Sequence, residues 1–279
     1  MPWPAPAKLN LFLHITGRRS DGYHQLQTVF QFLDIHDDVF LKVNSGGQIL
    51  SSHRHPGFNE ENDLTLRAAR LLQAETGCRS GVEIELIKNL PIGGGIGGGS
   101  SDAATVLLAL NYLWDTGLSR QELAHLGLQL GADVPVFIHG QTCWAEGVGE
   151  EIQPIELPEP VYLLVYPKVH VSTGQIFSAA ELTRNTSPIK IADFLAGQTR
   201  NDCEAVVRAQ VPEVDEAMRW LDQYAPARLT GTGSCVYAQF DSHELAQQAA
   251  DQLQQDWQTW VTRGCNRSLM HKRLEGMPG

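Results

Sequence analysis

PIGGGIGGGSSDAA, residues 91–104, sets six glycines between two segments of different periodicity. On its N-terminal side Val82-Glu83-Ile84-Glu85-Leu86-Ile87-Lys88 alternates apolar and polar residues, the pattern of a half-buried strand. On its C-terminal side Ala103 to Thr116 reads as a helix that opens near Ser100. Glycines in such a strand-loop-helix let the backbone come close to a ligand that side chains would exclude. Loop amides and the positive end of a helix favour an anion, and phosphate is the natural one. No Gly-Lys-Ser/Thr closes the loop as in a Walker A motif. A Rossmann fingerprint would bring an acidic residue about 20 positions on, and the nearest, Asp115, sits at a helix end. A flexible hinge is the other reading, which the ordered flanks and Ser100-Ser101 at the cap disfavour.

Outward from the loop, Leu11, Leu13 and Ile15 alternate along a strand that feeds the turn-rich GRRSDGYH, residues 17–24, and residues 24–43 predict two more strands. Asn62 or Asp63 caps a helix carrying Leu64, Ala68, Leu71 and Leu72 on one face, and Gly77 stops it. Ser119 and Glu122 form a capping box for another helix, ended by Gly131, with Asp133-Val134-Pro135 as a short rigid turn behind it. GVGEEIQPIELPEP, residues 147–160, is polar and punctuated by Gly and Pro, and reads as the approach to a second unit. That unit holds the apolar run Val161 to Val165, helices around 200–224, RLTGTGSCVYAQF (228–240) and a polar helix from Ser242. The expected architecture is α+β, with domains at 1–155 and 156–279.

A net charge of −11 over 279 residues argues against a nucleic-acid or anionic-membrane surface, since both need excess Lys and Arg. A phosphate site must therefore be built locally. No stretch approaches the roughly 20 apolar residues of a membrane span, and MPWPAPAKLN lacks signal-peptide order. Five scattered cysteines without a CxxC pair fit a reducing compartment, the cytoplasm. Of ten histidines none makes an HExxH pair, and His53 and His55 stand in a polar loop beside Pro56, so no protein metal site is expected.

Three motifs in order then identify a likeness. PAKLNLFL (6–13), Pro91-Ile92-Gly93-Gly94-Gly95-Ile96-Gly97-Gly98-Gly99-Ser100-Ser101 and LTGTGSCVYAQF (229–240), joined by LGADVPVF (130–137), resemble the motifs of the GHMP kinases across nearly the whole chain. Ile92 and Ile96 stand where related loops often carry Met or Leu. The resemblance implies a two-lobed fold, the N-terminal lobe like the second domain of ribosomal protein S-five and the C-terminal lobe ferredoxin-like. It also implies transfer of the γ-phosphoryl of ATP, with Mg2+ carried on the nucleotide, to an alcohol. The member most like this chain takes the 2-hydroxyl of a cytidine-diphosphate-linked polyol in non-mevalonate isoprenoid synthesis. Alternatives are another small-molecule kinase of the family, or a nucleotide-binding sensor without chemistry. A monomer or weak homodimer is expected, with no nucleic-acid or membrane partner.

Taken alone, Asp133 is a turn aspartate or a reacting carboxylate, and Lys8 a solvated strand end. The resemblance makes Asp133 the group that receives or guides the hydroxyl proton and sets Lys8 against it, where it offsets charge on the moving phosphoryl. The loop residues 91–101 would wrap the phosphates, with Ser101 or another loop hydroxyl as a partial Mg2+ ligand, and Lys88 and Asn62 would touch the nucleoside. Tyr23, His24 and Phe177 would clamp and read the cytosine. Asn10 would meet the polyol hydroxyls, while Thr173, Thr230 and Gly231 would face substrate phosphates.

Overall fold

The chain opens on a strand that is apolar along most of its length, β1 (Trp3–Arg18), which turns back into β2 (His24–Asn44) and the short β3 (Ile49–Ser51). This is a computed structural model that describes residues 1–20, 22–52, 59–197, 199–253 and 255–278. Asp21, His53 and His55 thus lie outside the described residues. Next come α1 (Leu64–Thr76), β4 (Gly81–Ile87), α2 (Gly98–Leu113), α3 (Arg120–Leu128) and α4 (Val134–His139). The hairpin β5 (Cys143–Glu146) and β6 (Glu151–Pro154) leads to β7 (Val161–Tyr166). Then follow α5 (Thr173–Ser178), α6 (Ile191–Leu195), α7 (Glu204–Gln210) and α8 (Pro212–Leu221). The chain closes with β8 (Arg228–Leu229), β9 (Val236–Phe240), α9 (His243–Asp251), β10 (Gln258–Cys265) and α10 (Leu269–Glu275).

Strand order runs β3-β4-β2-β10-β7-β9-β8, with β1 and β5 also on β2 and β6 on β5. Where two strands were expected over 24–43, β2 is one strand of 21 residues. The polar run Asp34-Ile35-His36-Asp37-Asp38 mimics a turn but contains no Gly, Pro or Asn to make one. Asp34 instead accepts the Arg263 amide at 2.8 Å, where β10 begins to pair with β2.

Asp63 caps α1 by accepting from the amides of Thr65 and Leu66, and Gly77 ends it at φ 65°. The Ser119–Glu122 box caps α3 as expected. Helix α2 starts five residues earlier than its composition suggested, inside the glycine run, and stops at Leu113 shortly before Asp115 takes a left-handed φ of 52°. Asp133-Val134-Pro135 is more than a turn: it opens the six-residue α4, with Pro in the first turn where its missing N–H costs nothing. The 147–160 segment, expected to be irregular, contains β6 because Glu146↔Glu151 closes a tight hairpin.

One core gathers Trp3, Phe32, Val39, Leu66, Leu107, Leu110 and Ile138 between the sheet and α1–α4. A second packs Leu13 and Ile15 of β1 with Leu163, Val165, Val207, Met218 and Val236. Residues from both sides of position 155 enter each core: Leu13 and Ile15 join the second, Cys265 and Met270 the first. A third cluster of Ala7, Leu9, Ile96, Leu164 and Cys235 lies between them. Strand β1 therefore crosses from one core to the other, and its residues 8–10 sit at the crossing.

Candidate active site

At that crossing a cleft of about 1010 Å³ opens, lined by β1, the glycine loop, Ala132-Asp133 and the start of α5. Lys8, expected at a strand end, is in mid-strand opposite Phe32 and only 2% exposed. Its Nζ donates to Asn10 Oδ1 at 2.7 Å and to the Gly95 carbonyl at 3.2 Å, and lies 3.3 Å from Asp133 Oδ2. These three acceptors use all the donors of an ammonium. The Phe30 ring, 5.1 Å from Nζ to its centroid, closes the apolar side of the lysine. Asp133 stands at the N-cap of α4 with its side chain 38% exposed, so one partner is buried and the other open to the cleft.

The loop is held against β1 by the Lys8 amide, which donates to Ile96 O at 3.0 Å, and against the C-terminal glycine motif by Cys235 N to Gly94 O at 3.0 Å. Glycine is required here by both conformation and space. Gly95 has φ 76°, and a Cβ on it would lie 2.5 Å from Thr230 O; Gly97 has φ 75°, and a Cβ would lie 2.7 Å from Phe137 Cζ. Pro91 to Gly95, Gly97 to Gly99 and Ser100 line the cleft. Ile96 and Ser101 are fully buried and do not line it, Ile96 anchoring the loop in the third cluster. The first-turn amides of α2 have no carbonyl within the helix to bond, and they open onto this cleft.

Lys88 also lines the cleft, but its ammonium is already shared: it pairs with Asp37 and, at 2.8 Å, with Asp102. Asp37 further accepts the amides of Asn89 at 2.6 Å and Leu90 at 2.8 Å, fixing the chain where β4 passes into the loop. Burial pushes the Asp102 carboxyl up, to about 7; Lys88 opposes this and Asp37 adds to it. Burial alone would lower Lys88, but Asp102 and Asp37 together hold it above its ordinary value. Asp37 and Asp102 were missed in the sequence, although Asp102 directly follows Ser100-Ser101. A lone lysine at a strand end gave no sign that two carboxylates from elsewhere would meet it. Asn62 lies at the far rim beside the α1 cap.

At the other end, His24 stacks on Phe177 with ring centroids 5.0 Å apart and planes 24° from parallel. Tyr23 is 62% exposed at the rim. Burial first, then Arg184 and Arg18, lowers the His24 pKa, which keeps the ring neutral. Asn10 donates its amide N–H to Thr230 Oγ1 at 3.0 Å and its side-chain amide to Thr28 Oγ1 at 2.9 Å. Thr230 is fully buried behind the cleft, whereas Gly231 and Thr173 line it, Thr173 Oγ1 lying 2.9 Å from Thr232 Oγ1. Among the described residues no cluster of His, Cys, Asp and Glu gathers to hold a metal, and no helix is long and apolar enough to cross a membrane. All five cysteines are free thiols.

Comparison with known proteins supplies the family. The GHMP kinases N terminal domain matches residues 63–141, and the GHMP kinases C terminal domain residues 179–259. A 4-diphosphocytidyl-2-C-methyl-D-erythritol kinase of Nitrosococcus oceani is 56% identical over 273 residues, 98% of each chain. The chain belongs to the GHMP kinase family. Within that family, a kinase of the same name from Alkalilimnicola ehrlichii is 56% identical over 277 residues, covering 98% of this chain and 94% of its own. A solved structure titled 4-(cytidine 5'-diphospho)-2C-methyl-D-erythritol kinase superposes with a TM-score of 0.81 at 31% identity, over 95% of this chain and all of that one. The mevalonate kinase of Methanococcus jannaschii shares the fold, with a TM-score of 0.70 at 17% identity over 95% and 98% of the two chains. This GHMP kinase is thus a phosphotransferase of two-lobed α+β fold acting on a small molecule, with ATP as co-substrate.

Proposed function

We propose that the protein transfers the γ-phosphoryl group of ATP to the 2-hydroxyl of 4-diphosphocytidyl-2-C-methyl-D-erythritol. The observation that carries this reading is the Lys8–Asp133 pair, 3.3 Å apart, set against the glycine loop in the cleft that the His24–Phe177 stack also lines. Kinases of that name cover almost the full chain at more than half identity.

In this reading the loop amides and the N-terminus of α2 hold the phosphates, and Lys88 and Asn62 border the nucleoside. The substrate hydroxyl oxygen forms its bond to the γ-phosphorus while the bond to the β,γ-bridging oxygen breaks and ADP departs with that electron pair. The hydroxyl proton passes to the Asp133 carboxylate, and Lys8 offsets negative charge as it builds on the oxygens. Asn10 and Thr173 orient the polyol and its diphosphate; Thr230, buried behind Asn10, contributes by holding the Asn10 backbone.

Hard oxygen donors suit Mg2+, and the Ser100 hydroxyl and Asp133 carboxylate face the cleft, while the buried Ser101 does not. When bound with ATP, the ion supplies charge neutralisation on the phosphates. The same reading takes the lobes to divide near 155. It takes the protein to work in the cytoplasm as a monomer or weak homodimer, without nucleic-acid or membrane partners. Incubation with Mg-ATP and the cytidylylated methylerythritol, followed by mass spectrometry, tests it. A gain of one phosphoryl on the polyol is expected. Turnover of mevalonate, homoserine or galactose in its place would move the assignment to another GHMP activity.

A further inference from the structure

Arg184 lies in the segment after α5 and has no part in the phosphoryl transfer described above, yet its guanidinium makes four hydrogen bonds. Its Nε–H donates to His24 Nε2 at 3.2 Å. Its Nη2 donates to Phe177 O at 2.9 Å and Ala179 O at 2.6 Å, and its Nη1 to Leu182 O at 3.1 Å. One side chain thus joins the backbone that carries Phe177 to the ring at the start of β2, on the other side of the cleft mouth.

The chemistry of the contact with His24 decides more than position. An arginine has donors only and keeps its proton at any working pH, so the nitrogen it faces must offer a lone pair. The His24 ring proton is therefore on Nδ1, and the imidazole has one donor left to present. Among the described residues the charges acting on the ring are both positive, Arg184 and Arg18 of β1, and they oppose a second proton. Phe177 stacks on one face of the same ring.

We propose that Arg184 is a positioning residue for base selection: it fixes His24 as an N–H donor beside the Phe177 wall. This rests on the substrate reading given above. A fixed donor suits the acceptors N3 and O2 of cytosine. Uracil carries N3–H at the same edge, and donor would face donor, so the device selects a cytidine over a uridine diphosphate handle.

Long-range nitrogen–proton NMR of the ligand-free wild type tests the first half without any variant. His24 must show a protonated Nδ1 and a bare Nε2 at neutral pH; the opposite tautomer overturns the proposal. Steady-state kinetics of Arg184→Gln and Arg184→Lys test the second half against the cytidine substrate and its uridine analogue. We expect mixed tautomers, a rise in KM for the cytidine substrate of about 10-fold or more, and a smaller preference over the uridine analogue. The KM for ATP should not change. An unchanged preference with an unchanged KM overturns the proposal, as does an equal rise in both KM values, which would mark a merely structural residue. If the wild type ignores the cytidine substrate altogether, the substrate reading and the base-selection role fall together, while the tautomer spectrum still decides whether Arg184 sets the ring.

Discussion

At the scale of single residues the site turns on which charges are buried and with whom. Lys8 was legible as a candidate only because PAKLNLFL resembles a family motif; its burial was not, because a lysine early in an apolar stretch looks like a strand end until β1 is seen to begin at Trp3. Replacing Lys8 by Gln leaves Asp133 without its cation. Stopped-flow or steady-state assays should show kcat reduced by about 10²-fold or more, with ATP still bound. Asp102 makes a second prediction. Its carboxyl titrates near 7 in the folded protein, above the ordinary carboxylate value, so the folded state binds the extra proton and stability falls as pH rises from about 4 toward 7. Asp102→Asn removes that titration. Melting curves should coincide with wild type below about pH 4 and lie higher than wild type at about pH 8.5; a variant less stable at the higher pH would show that the ionised carboxylate is the favoured form.

Among elements, the glycine loop was the most legible because its composition leaves few alternatives. Its outward glycines and buried Ile96 were not distinguishable by sequence, since the side on which Ile96 packs depends on β1 and β9. Gly95→Ala needs a left-handed alanine and a Cβ 2.5 Å from a carbonyl, so the loop must shift. We expect the KM for ATP to rise at least about 10-fold, read by nucleotide titration, with the fold retained by circular dichroism. Helix α10 gave no signal in the sequence, and what docks it is a contact between distant residues. His271 is buried, donates from Nε2 to Ile138 O at 2.9 Å, and lies under Gly140, where a Cβ would sit 2.0 Å from Nδ1. Burial, then Arg120, lowers its pKa to about 4. The unfolded chain takes up the proton near 6.5 and the folded chain does not. Stability should therefore fall as pH drops from about 6.5 to 4 and level off below. NMR titration of His271 with a midpoint near 4 is the expected result, and a midpoint near 6.5 would contradict it.

Across the whole molecule, the order of elements and the α+β class could be read along the chain, because strand and helix periods are local. The sharing of cores could not. Strand β1 contributes to both main clusters, and the C-terminal Cys265 and Met270 return to the first, so each main core draws on both halves of the chain. That arrangement brings Lys8 from residue 8, the loop from 91–101, Asp133 from α4 and Phe177 from α5 around one cavity. In the proposed reaction Asp133 in this cavity serves phosphoryl transfer to the polyol and not nucleotide binding. A mass-spectrometric assay of the cytidylylated methylerythritol with Mg-ATP, run on wild type and Asp133→Asn alongside calorimetric titration with ATP, tests it directly. We expect one added phosphoryl with wild type, a rate lower by about 10² to 10⁴-fold in the variant, and similar ATP affinity in both. Wild-type turnover that survives the substitution undiminished would contradict it.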